Sequence, residues 1–177
     1  MKTIQLLISF CLITYQSTLI SAQGDKTIRT DEETMLKATR FMVENISTKG
    51  GYLWIYLPDM SRRWGEMEAY SSMIWVQHPG TVSMGHLFLD AYKVTGNEYY
   101  YAAAEKAASA LIWGQLDCGG WNYIIDFEGD RSLREWYNTI GKNGWRLEEF
   151  QHYYGNATFD DRSEERRVGK ECRSRGS

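Results

Sequence analysis

The sequence predicts an all-α fold that is assembled from repeated helical hairpins. Two observations favour this fold class: apolar residues recur at helical spacing in three segments, and one stretch of the chain recurs 69 positions later. The repeated unit has the period of a helix and not that of a strand. We therefore expect helices to stack on neighbouring helices.

The first predicted helix follows a capping box that Thr30 and Glu33 form. Apolar or small side chains then recur at intervals of three and four residues, at Met35, Ala38, Thr39, Met42, Val43 and Ile46. This spacing predicts an amphipathic helix. The helix should end near Lys49-Gly50-Gly51, because glycine favours the chain reversal after a helix.

Two further helices are predicted to form an antiparallel pair. One follows Pro79-Gly80-Thr81, carries its apolar face from Met84 to Tyr92 and ends at Thr95-Gly96-Asn97. The other carries its apolar face from Tyr100 to Leu111. Since so short a link joins them, the two helices should fold back on each other as a hairpin.

An internal repeat relates the first and third helices. Residues 37–54 align without gaps to residues 106–123, and Lys37, Ala38, Gly50 and Gly51 all recur at the same offset. Each copy predicts a helix, a Gly-Gly turn and a short aromatic segment. Two and a fraction units are visible, whereas a repeat fold needs roughly three for stability. We therefore expect the chain to stop within the next unit.

Both ends of the chain are expected to lie outside the folded body. Residues 1–22 have the layout of a cleaved secretory signal, with Lys2 before an apolar run that is too short to span a membrane. The mature protein should begin near Gln23 and be secreted or periplasmic, without stable membrane insertion. Residues 162–177 resemble a translated sequencing adapter and are interpreted as a non-native tail; a natural charged tail is the alternative.

Charge and cysteine content restrict the function further. Residues 23–161 hold 13 Lys and Arg against 20 Asp and Glu, a formal charge of −7, which argues against a nucleic-acid partner. An anionic substrate would need a local basic patch or a bridging cation. Cys118 is the one cysteine in this range, so no disulfide is expected within it.

Three segments of the body carry a specific resemblance. They read GGYLWIYLPDMSRRWGE, WVQHPGTVSMGHLFLDAYKVTGNEYYYAAAEKAASALIWGQLDCGGWNY and NATFDD. In this order they resemble pectate lyases of polysaccharide lyase family 10, over nearly all of residues 23–161. The resemblance implies the N-terminal part of an α/α toroid of helical hairpins, incomplete here, and β-elimination of pectate or polygalacturonate in a groove at one end of the toroid.

Under this resemblance, the segment before the second helix is expected to bind substrate. Arg62 and Arg63 could pair with uronate carboxylates, although a surface ion pair with Asp59 or Glu66 is the alternative. Trp64 and Trp75 could stack on sugar rings, although core packing is the commoner role of an aromatic side chain. The last predicted substrate-binding residue is His78, whose alternative role is a structural hydrogen bond.

The resemblance also predicts a calcium site at Asp160 and Asp161, which could instead cap a helix. The resembled family carries an acidic motif before the helix that corresponds to the second predicted helix, and this sequence has Gln77-His78 there instead. The catalytic base is expected beyond Asp161. The chain as it stands is therefore expected to be inactive. Two other functions remain open, namely a non-catalytic carbohydrate-binding toroid and a glycoside hydrolase that uses Glu66 and Glu68.

Overall fold

The computed structural model describes residues 29–143 and Ala157, and the chain divides into two units between Met42 and Val43. Residues 1–22, residues 162–177 and the predicted calcium ligands Asp160 and Asp161 lie outside the described residues. In the first unit, a helix that we call α1 occupies residues 29–41. A π-helical turn, Met42–Ile46, follows it.

The predicted capping box is wrong. Thr30 already lies within helix α1, and its carbonyl oxygen accepts a hydrogen bond from the hydroxyl of Thr34 at 2.8 Å. A cap residue has a non-helical backbone and precedes the first turn. Thr30 therefore does not cap the helix, because the helix is already formed at residue 29.

In the second unit, α2 (Thr81–Thr95) and α3 (Glu98–Trp113) form the predicted hairpin. Gly96 ends α2 with a left-handed backbone, φ 68°, and donates its N–H to Tyr92 O at 2.7 Å. The side chain of Asn97 then accepts from Tyr99 N at 3.0 Å and caps α3. The hydrogen bonds of Gly96 and Asn97 thus satisfy backbone groups that helix ends leave unpaired. The helix periodicity of both segments is confirmed.

Two small antiparallel sheets depart from the all-α prediction. The first pairs β1 (Ile55–Tyr56) with β2 (Arg63–Trp64), and the second pairs β3 (Met73–Trp75) with β4 (Ile124–Asp126). A fourth helix, α4 (Asp130–Asn138), and a 3₁₀ turn, Gly141–Asn143, complete the described unit. The described residues therefore form a mostly helical domain with one paired set of helices and two sheets, and they do not show a toroid.

The repeat is visible in the backbone of its two Gly-Gly turns. Gly50 and Gly119 both have a positive φ, 93° and 86°. A strand begins after each copy, at Ile55 and at Ile124, which keep the offset of the sequence repeat. The aromatic segments thus lead into strands, which was not predicted.

Trp75 lies at the centre of the main core of the second unit. Its side chain is fully buried, and its ring meets those of Trp54 and Trp136 edge to face at 5.9 and 6.4 Å. A side chain at position 65 would collide with the Trp75 ring, so glycine is required there. The rest of the buried cluster comprises Leu53, Ala69, Met73, Ile124, Trp136 and Tyr137.

Two smaller observations complete the description. Cys118 is disulfide-bonded. None of the helices in the described part of the chain has the length and apolar character needed to cross a membrane.

Candidate functional site

The β1–β2 hairpin presents three of the five predicted substrate-binding residues. Its turn closes through hydrogen bonds from Leu57 N to Arg62 O and from Met60 N to Leu57 O, at 3.0 and 2.9 Å. Asp59 Oδ1 accepts from the backbone N–H and the hydroxyl of Ser61, at 3.1 and 2.7 Å. These bonds lower the pKa of Asp59. The turn is therefore fixed by its own polar groups.

Arg62 is paired with Glu68 and not with Asp59 or Glu66. Its Nε and Nη2 donate to Glu68 Oε1 and Oε2, both at 2.7 Å, in a bidentate geometry. The hydrogen bonds from Arg62 lower the pKa of Glu68, and they raise the pKa of Arg62. Glu68 is thus the residue that sequence reasoning missed as a partner, because the pairing depends on how the chain folds back after β2, where Ala69 N donates to Arg63 O at 2.9 Å.

The guanidinium of Arg62 also lies over the indole of Trp64, with Cζ 5.0 Å from the ring centroid. Trp64 is half-buried, and its carbonyl oxygen accepts from Trp54 N at 2.8 Å. One face of the indole is therefore covered by a cation. Arg62, Trp64 and Glu68 form one arrangement, which we call the hairpin triad.

Arg63 points to the other side of the hairpin strand. Its Nη2 donates to Met60 O at 3.2 Å, and its Cζ lies 5.9 Å from the ring centroid of Tyr56. A longer bond, 3.5 Å, joins Nη1 to Ser71 O. Arg63 is half-buried and ties the turn to the chain that follows β2, so its contacts are those of a structural residue.

Trp75 does not belong to an exposed site. Because its side chain has no exposed surface, no sugar ring can stack on it in this structure. The prediction that placed Trp75 among the substrate-binding residues is therefore corrected. The side chains of β3 are buried on both of its faces.

His78 is exposed and lies apart from the triad in sequence, after β3. Its Nδ1 is 2.7 Å from the hydroxyl of Ser83 in the first turn of α2. The preceding residue, Gln77, accepts a hydrogen bond on its carbonyl oxygen from Trp54 Nε1 at 3.2 Å. The structure thus brings Gln77 beside a half-buried tryptophan, and it gives His78 a hydrogen bond of the structural kind.

The described carboxylates are the remaining candidates for metal ligands. Within residues 29–143, the described side chains form no group of three or more His, Cys, Asp or Glu residues that could hold a metal ion. Asp126 is buried; its Oδ1 accepts from Glu128 N at 3.0 Å, while Oδ2 has no hydrogen-bond partner. Asp160 and Asp161 supply oxygen donors of the type that Ca²⁺ prefers, but they lie outside the described residues.

Comparison with known proteins adds no family assignment. No protein-family model, no curated protein and no solved structure matches this chain.

Proposed function

We propose that this protein recognises a galacturonate-type polysaccharide and that its complete form cleaves pectate by β-elimination on an α/α toroid. The observation that carries the proposal is the hairpin triad, in which the guanidinium of an exposed arginine lies over an indole, with Cζ 5.0 Å from the ring centroid. A planar guanidinium suits a carboxylate, and an aromatic ring beside it suits the apolar face of a sugar. The motif resemblance supplies the substrate class and the reaction.

Exposed apolar side chains on the helical pair support the toroid part of the proposal. Four large residues there have more than half of their surface exposed: Leu87 at 59%, Val94 at 84%, Ile112 at 70% and Trp113 at 56%. In a toroid of hairpins each pair is covered by the next one. A neighbouring hairpin would remove this apolar surface from water.

The proposed reaction needs positive charge near the uronate carboxylate. In β-elimination a base removes the proton on C5, the bond between C4 and its oxygen breaks, and negative charge builds up on the carboxylate. Arg62 would bind a sugar carboxylate, while Asp160 and Asp161 would hold Ca²⁺, which would neutralise part of that charge. The base would come from sequence beyond Asp161.

The experiment that tests the proposal replaces residues 162–177 with the natural sequence that follows Asp161. We expect the protein to release unsaturated uronates from polygalacturonate, followed by ultraviolet absorbance. Asp160→Asn and Asp161→Asn should each reduce the rate, as should a chelator. Asn caps a helix about as well as Asp. Full activity in both variants would mean that the pair has only a capping role.

A non-catalytic carbohydrate-binding protein is the second candidate. It is favoured by the Gln77-His78 segment, which stands where the resembled family has an acidic motif. His78 is hydrogen-bonded to Ser83. This candidate predicts that the extended protein binds polygalacturonate without releasing product. A glycoside hydrolase that uses Glu66 and Glu68 is less well supported, because both carboxylate oxygens of Glu68 are bonded to Arg62 at 2.7 Å.

A further inference from the structure

Glu68 occupies the part of Arg62 that a carboxylate ligand would use. Two donors of the guanidinium, Nε and Nη2, are bonded to the two oxygens of Glu68 at 2.7 Å each. This is the geometry in which arginine binds any carboxylate bidentately. The carboxylate of Glu68 therefore stands where the carboxylate of a uronate would stand.

The pair can exchange partners because it is exposed. The side chains of Arg62 and Glu68 retain 57% and 34% of their surface in contact with water. Exposed ion pairs are weak, since water and salt screen them. The guanidinium also lies over the indole of Trp64, a cation–π contact that does not use the hydrogen-bond donors bonded to Glu68.

We propose that Glu68 is an internal competitor of the ligand at the Nε–Nη2 edge of Arg62, so that a sugar carboxylate binds this edge of the triad only by displacing Glu68. The inference rests on the proposed recognition of galacturonate polymers and adds a residue that tunes it. A neutral sugar would offer nothing to replace the ion pair. Glu68 thus makes the surface selective for ligands that carry a carboxylate, at the expense of affinity.

The main chain of Glu68 is held independently of its carboxylate. Trp136 Nε1 donates to Glu68 O at 2.8 Å, and the ring of Trp136 is fully buried. A change of Glu68 to glutamine keeps the shape of the side chain and this anchor. The variant Glu68→Gln should therefore fold as the parent does, which circular dichroism and thermal unfolding would verify.

The test measures binding of a galacturonate trimer to the full chain by calorimetry at low ionic strength, with a chelator present. We expect Glu68→Gln to bind about two- to fivefold more tightly, the range that corresponds to an exposed ion pair. Asp59→Asn is the matched control, because it removes the same charge from the same hairpin and retains the acceptor for Ser61. Its affinity should stay within twofold of the affinity of the parent, a smaller change than the one expected for Glu68→Gln.

The possible results distinguish the competitor role of Glu68 from the recognition of galacturonate. If the parent binds and Glu68→Gln binds equally or more weakly, Glu68 is not a competitor, whereas the recognition of galacturonate stands. If Glu68→Gln and Asp59→Asn gain affinity equally, the gain comes from the loss of any negative charge in this region, and the inference is overturned. If neither parent nor Glu68→Gln binds the trimer, the proposed recognition at this surface is itself wrong.

A second readout follows the carboxyl group directly. In the free protein the hydrogen bonds from Arg62 hold the pKa of Glu68 below its ordinary value. When a sugar carboxylate takes over Arg62, the pKa of Glu68 should rise toward that value, as measured by NMR titration with and without saturating trimer. A ligand that binds while leaving this pKa unchanged would contradict displacement.

Discussion

Trp64 and Trp75 differ in their surroundings. Trp64 is half-buried beneath the guanidinium of Arg62, whereas Trp75 is enclosed by rings of the core. Gly65 allows the close approach of the chain to Trp75, because any larger residue would overlap the indole. Trp75 lies on a strand that is buried on both faces, so neither face of β3 offers it to solvent.

This difference predicts unequal losses of stability. Trp75→Ala should lower the free energy of unfolding by about 3–5 kcal/mol, the usual result of emptying an aromatic site in a core. Trp64→Ala should cost clearly less, because part of its ring already contacts water. Denaturant unfolding of the two variants beside the parent measures both values. An equal loss in the two variants would contradict the assignment of Trp75 to the core.

At the scale of elements, local signals predicted α1, α2 and α3 and missed α4 and both sheets. The α2–α3 hairpin follows from apolar spacing and from a glycine that adopts the left-handed backbone at the end of α2. Strands β1 to β4 have two or three residues each, too few to show a period. The β3–β4 pair joins segments that are distant in sequence, such as Met73 with Asp126. The bond between Arg62 and Glu68 was missed because it depends on how the chain folds back after β2, which brings Glu68 opposite Trp64.

The turn at Gly50 offers a test at this scale. Gly50→Ala should destabilise the protein more than Gly96→Ala, although both glycines have a positive φ. A methyl group at position 96 meets nothing within 4 Å, so it should cost only the backbone strain of roughly 1–2 kcal/mol. At position 50 it would also collide with the backbone carbonyl of Lys106. Thermal unfolding compares the two variants, and a smaller effect at position 50 would show that this turn is not tightly packed.

At the scale of the whole molecule, the proposed function rests on the net charge and on the motif resemblance. Residues 23–161 have a formal charge of −7, so an anionic polymer is repelled unless a cation is present locally. Arg62 supplies such a cation on the described surface, and the predicted calcium ligands Asp160 and Asp161 would supply another. The predictions for residues 1–22 and 162–177 concern segments outside the described residues, and they remain predictions. The motifs predict a substrate class, which stays a prediction, and they do not indicate which side chains meet on the hairpin.

The central claim is that the hairpin triad recognises sugar carboxylates. The most direct measurement compares the affinity of the 177-residue chain for short galacturonate oligomers and for their methyl esters, at low ionic strength and with a chelator. We expect the acid form to bind about tenfold more tightly than the ester and Arg62→Met to abolish this preference. Arg131→Met, which removes an exposed arginine from α4, should preserve it. Equal binding of acid and ester, or a preference that survives Arg62→Met, would contradict the account.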